Sequence, residues 1–165
     1  MSNTKTFAAL ALVIAGSAPT PSWGQTAADP IIVEGTCGLD SGVTINSEKS
    51  DFACNVAVIM RAQQGTVLIQ FADKTGDDGR IVGFGGVIEG KQGFGADATQ
   101  MMAVQRIYLA GGAQPIPADR GTCIMNWTGL HRTGGRLTSV ICGGTGAAEG
   151  HDVKAMVTLE AEAGK

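Results

Sequence analysis

Two cysteines nineteen residues apart constrain this chain more than any other feature. The stretch 123–142, CIMNWTGLHRTGGRLTSVIC, has a cysteine at each end, β-prone residues inward from both, and a run containing Gly and Thr at His131–Gly135. If the chain folds back on that run, residues whose numbers sum to 265 face each other: Cys123 with Cys142, Met125 with Val140, Trp127 with Thr138. All six side chains then share one face, because side chains alternate along a strand and pair across it. Directly opposed antiparallel positions lie ~4.5 to 5.5 Å apart at Cα, within the range a disulfide accepts. The stretch is therefore predicted to be a β-hairpin closed by its own disulfide, with Cys123, Met125, Trp127 and Val140 facing the core.

A disulfide needs an oxidising compartment, and the start of the chain reads as a route to one. Lys5 and the free amine supply positive charge, Phe7–Ala15 form a short apolar run, and small residues follow at Ser22 and Gly24. That run is far below the ~20 residues that span a bilayer. Residues 1–24 are expected to be a cleaved signal peptide and 25–165 a single disulfide-bonded β-domain, periplasmic or secreted. Four cysteines then remain: Cys37, Cys54, Cys123 and Cys142. They allow three connectivities, of which local pairing, Cys37 with Cys54 and Cys123 with Cys142, is the simplest. A zinc site is not expected, since there is no C-x-x-C and His131 and His151 lack ligand spacing.

Along the mature chain, Ile31–Cys37 and Phe52–Met60 read as strands around a loop rich in Gly, Ser, Asn and Asp. Phe52, Cys54, Val56, Val58 and Met60 alternate as one apolar face. Val67–Ala72 and Arg80–Ile88 follow, joined by an Asp- and Gly-rich run at 73–79 whose chemistry is that of a turn. Gly83-Phe84-Gly85-Gly86 inside a strand predicts a bulge or sharp coiling. Gln100–Ala110 reads as a strand, with a helix as the alternative; Gly111–Gly121 and Gly143–Gly150 read as loops, and Val153–Glu160 as the last strand. About eight short strands linked by turns predict an all-β antiparallel meander closed as a small barrel, with a two-sheet sandwich as the alternative. Glycine, 25 of 165 residues and without a Gly-X-Y period, fits a fold of many tight turns.

Several motifs imitate functional ones. Gly85–Lys91 spells G-x-x-x-x-G-K, but Gln92 stands where a phosphate-binding loop needs Ser or Thr. The Asp/Gly run at 73–79 fits no register of an EF-hand. Asn126-Trp127-Thr128 matches a glycosylation acceptor inside a predicted strand. No G-x-S-x-G, S-x-x-K or H-E-x-x-H occurs in 25–165, so no catalytic residue, cofactor or metal is assigned.

Without residues 1–24 the chain carries 11 bases against 15 acids, which weighs against nucleic acid. The expected function is that of an exported, non-catalytic β-domain that binds an envelope or extracellular macromolecule or has a structural role there. Alternatives are a carrier of a small apolar ligand in a barrel lumen and an enzyme with an unrecognised site. Only six aromatics remain after cleavage, which favours a filled interior over a ligand-lined one. On the strand reading of 100–110, Met102, Val104, Arg106 and Tyr108 project from one face, and Met102, Arg106 and Tyr108 are the candidate partner-binding residues. Arg and Tyr are the side-chain types that often dominate interfaces.

Overall fold

The computed structural model describes residues 29–61, 65–75, 79–92, 97–110, 114–129 and 135–162. Among them are ten strands and no helix: β1 (Ile31–Cys37), β2 (Gly42–Ile45), β3 (Glu48–Asp51), β4 (Val56–Arg61), β5 (Thr66–Ala72), β6 (Ile81–Gln92), β7 (Ala98–Leu109), β8 (Ile116–Thr128), β9 (Arg136–Ala148) and β10 (His151–Ala161). They form one antiparallel sheet in the order β1-β4-β5-β6-β7-β8-β9-β10-β2-β3, and β1 also pairs with β10. That pairing closes a ring of eight strands, so the architecture is the barrel and not the sandwich. The segment read as a signal peptide lies outside the described residues.

Alternation fills the interior. Ile59 on β4, Ile69 and Phe71 on β5, Phe84 on β6, Met102 and Ile107 on β7, Met125 on β8, Val140 on β9 and Leu159 on β10 are all fully buried. Phe71 and Phe84 meet edge to face, their ring centroids 6.2 Å apart. An eight-stranded ring has an interior just wide enough for side chains, and here side chains occupy it.

Both disulfides join the predicted partners, Cys37 with Cys54 and Cys123 with Cys142. Cys123 and Cys142 are register partners on β8 and β9, with Cα atoms 4.0 Å apart. Met125 faces Val140 as predicted, but Trp127 pairs with Leu137 and not with Thr138. A one-residue bulge after Asn126 causes the shift, and the displaced Thr138 hydroxyl donates to the Asn126 carbonyl. Most of the predicted turn at 131–135 lies outside the described residues.

Three expected loops turn out to hold strand. The polar run 38–51 contains the hairpin β2–β3, turned at Asn46 and Ser47, which have φ of 47° and 74°. Two consecutive positive φ values make the tight turn whose twist suits a two-residue hairpin. In turn, the strand predicted from Phe52 begins only at Val56. At the other two places, β8 starts at Ile116 and β9 runs on through Gly143 to Ala148. Glycine survives in β9 because the backbones crowd there: a Cβ on Gly146 would overlap the Pro117 carbonyl. Propensity read this segment as loop; the close approach of β8 overrides it. The predicted bulge in β6 is present, with a register shift at Gly85/Gly86 and no room for a Cβ beside the Ala103 carbonyl.

β1 and β2 together act as one interrupted strand along β10. Cys37 pairs with Leu159 and Gly42 with Met156, so four residues of the first strand, 38–41, stand against two of β10. Ser41 repairs the break. It is buried, its hydroxyl accepts from the Thr158 N–H at 3.1 Å, and its carbonyl accepts from the Phe52 N–H. Each would otherwise be a backbone group lacking a ladder partner.

Candidate functional site

The interruption that splits β1 from β2 also shapes the barrel mouth. β3 is the last strand of the sheet, so its far edge has no strand beside it among the described residues. The hairpin closes at the pair Ile45/Glu48, which puts the backbone groups of Lys49 and Asp51 on that open edge. Across a slit stand the start of β6 and the end of β7. Arg80 spans it at one end, its guanidinium donating to the Asp51 carbonyl at 3.1 Å.

Between these walls lies a cleft of about 520 Å³. Val43, Phe52, Val82 and Leu109 form an apolar floor, with Ile45 and Ile81 at its lip. These two isoleucines are 42% and 38% exposed, among the most exposed large apolar side chains described. The rim is polar: Asn46, Glu48, Ser50, Asp51, Arg80 and His151. Asn46 is fixed twice, its backbone N–H on the Asp152 carbonyl and its side-chain oxygen on the Asp152 N–H, both at 3.0 Å. Its amide also donates to Nδ1 of His151, the one hydrogen bond of that ring among the described residues. Among the described residues the His151 ring shares no hydrogen bond with a hydroxyl, thiol or carboxylate, although Glu48, Ser50 and Asp51 line the same cleft. Apolar floor with a few convergent polar groups is the common composition of a binding hollow.

The predicted site residues are separated. A bulge in β7 between Ala103 and Arg106 reverses the alternation. Met102 and Val104 point inward, Met102 fully buried, whereas Arg106 and Tyr108 point outward. Met102 therefore does not belong to any exposed face with them, which corrects the single-face reading. The Tyr108 ring lies over β6, where a Cβ on Gly85 would come within 3.0 Å of it. Tyr108 thus covers a strip of glycine backbone, and Arg106 is an exposed cation next to it.

The opposite end of the barrel carries two more polar hollows, of about 610 and 720 Å³, on either side of Trp127. Trp127 is buried there, the Arg61 guanidinium lies 5.7 Å from its ring centroid, and Arg61 also donates to Gln100. Trp127 Nε1 has no hydrogen-bond partner among the described residues. Arg61 and the mouth residues were missed in the sequence because no motif marks them; for Arg61 the one signal was alternation, which sets it on the face of Ala57 and Ile59.

The imitative motifs resolve structurally. Gly85–Lys91 runs through extended β6, so it has no helix to face a phosphate. Asp73 accepts from the Asn55 amide and from Thr75, tying the turn down with its carboxylate. Asn126 is held on the outer face, accepting from Thr99 and donating to Ser139. His131 lies outside the described residues. In comparisons with protein-family models, curated proteins and solved structures, nothing matches this chain.

Proposed function

We propose that the mature chain is an exported, non-catalytic β-barrel that binds a macromolecular partner in the periplasm or outside the cell, receiving an apolar side chain of that partner in the mouth cleft. The observation that carries this reading is the contrast between a filled interior and an open apolar hollow at one end. Two disulfides in 165 residues fit an oxidising compartment. A rigid hollow beside an open strand edge suits a protruding group on a larger surface, with the rim contributing hydrogen bonds.

A second reading rests on the same volume. About 520 Å³ lies within the range of small-molecule pockets, so an amphipathic ligand could occupy the mouth without entering the interior. One pair of variants separates the two. Ile45→Asp with Ile81→Asp places charge at the lip of the cleft while leaving the buried side chains in place. Cross-linking capture from envelope extract should fall more than tenfold, or ~1.4 kcal/mol, in the double variant with melting nearly unchanged. Undiminished capture rejects the mouth as the partner site. Displacement of a bound apolar fluorophore by fatty acids, with no macromolecule captured, would favour the carrier.

A further inference from the structure

The strand registers align a row of side chains that no local motif shows. Lys49 pairs with Thr44, Thr44 with Lys154, Lys154 with Thr145, and Thr145 with Arg120. The row crosses β3, β2, β10, β9 and β8 on the outer face, cation alternating with threonine. Strands lie ~4.8 Å apart, so successive cations are anchored roughly 10 Å from one another in a line. All three are exposed. Lys49 pairs with Asp51, whereas Lys154 and Arg120 have no ion pair among the described residues.

Beside the row the wall is hollowed. A trough of about 220 Å³ runs between Arg120 and Lys154, with Thr145, Gly143 and Met156 along it. Gly143 differs from the glycines that crowding demands: a Cβ there would meet nothing closer than the Ala155 carbonyl at 3.8 Å. Its missing side chain keeps the trough open and is not required for strand packing. Asp119 and Asp152 flank the row on its mouth side, while the row on the other side is uncharged at Thr122, Gly143 and Met156 and ends on β3 in Asp51, the partner of Lys49.

We infer that this outer row is a binding track for a linear anionic polysaccharide. Arg120 and Lys154 take successive carboxylate or sulfate groups, threonine hydroxyls take sugar hydroxyls, and the trough receives the ring. The complementarity is local, since the chain as a whole is acidic. Threonine hydroxyls stand between the cations, which suits a polymer that carries hydroxyls between its charges and so favours sugar over nucleic acid or lipid.

The test uses the mature protein with immobilised heparin and polygalacturonate as probes, neutral dextran as the blank, and single-stranded DNA and phosphatidylglycerol vesicles as rivals. Wild type should be retained on the two polyanionic sugars at low ionic strength and released by salt. Arg120→Gln with Lys154→Gln should weaken binding at least tenfold. Gly143→Val should do the same with every charge intact and melting no lower, because it fills the trough. Lys91→Gln with Arg136→Gln removes equal charge elsewhere and should bind as wild type. The inference is overturned if wild type is not retained, if the charge control loses as much as the row variant, if Gly143→Val binds normally, or if DNA or vesicles bind more tightly than the sugars. None of these substitutions touches the lining of the mouth cleft, so failure here leaves that reading standing.

Discussion

The β8–β9 ribbon and the β1–β4 region each hold one disulfide, yet they are built on opposite terms. β8 and β9 are thirteen residues each, pair along most of their length, and carry Cys123 and Cys142 as direct register partners inside the core. In the β1–β4 region the strands are four to seven residues long, the ladder along β10 breaks between Cys37 and Gly42, and Cys54 lies between strands. One disulfide thus fastens a ladder that already exists. The other, with Ser41, holds together a place where the ladder is missing, and that place is where the mouth cleft forms.

The two bonds enclose similar loops, with separations of 19 and 17 residues, so chain entropy assigns each about 3 kcal/mol. Packing breaks the tie. Replacing Cys123 and Cys142 together by Ala should cost ~2 to 5 kcal/mol of global stability, since two fully buried side chains are also lost. Replacing Cys37 and Cys54 should cost less globally but speed amide exchange selectively from 35 to 55. Denaturant melts with residue-resolved exchange check this; uniform acceleration in both variants would erase the distinction between the regions.

Ser41→Ala sharpens the comparison at the next level down. It leaves the Thr158 N–H without its hydroxyl acceptor in a nearly buried place, a loss of roughly 1 to 3 kcal/mol. The loss should be confined to the β1/β2 junction. An unchanged melt would show that water replaces the hydroxyl and that the junction is not sealed.

On the ribbon side, Tyr108→Ala uncovers the glycine backbone of β6 and should lower stability by ~0.2 to 1 kcal/mol, while Arg106→Ala should leave melting unchanged. If Tyr108→Ala instead melts as wild type and loses partner capture, the pair is an anchor and the mouth is not the site.

What the sequence made legible follows the same division. The Cys123/Cys142 pairing came from parity, which works wherever two strands keep one register. It failed at Trp127, and again between Val104 and Arg106, because a bulge adds one residue and turns every later side chain over. Met102 went to the wrong face for that reason. Glu48–Asp51 has no apolar residue, so the alternation that reveals half-buried strands is absent from an edge strand exposed along its whole length. The mouth was illegible for a deeper reason: Phe52, Arg80 and Leu109 come together only after the ring closes. The cation row is legible only from registers, since its members lie on separate strands in no sequence pattern.

The smallest expected effect lies in the β1–β4 region, where Glu34 of β1 meets Lys74 of the turn after β5. A hydrogen bond from the Lys74 ammonium, and then its charge, hold the Glu34 carboxyl below the usual carboxylate range. A carboxyl lowered on folding stabilises the native state above its unfolded pKa of ~4.3, and that contribution disappears as pH falls through the lower folded value. Both groups are largely in solvent, so screening keeps the contribution small. Lys74→Gln should therefore melt slightly below wild type at neutral pH and low salt, and match it in strong acid and at high salt. A deficit that persisted at low pH would mean that Lys74 holds the turn by packing against β1 and not by charge, and the break in the ladder would then have a third support beside Ser41 and the disulfide.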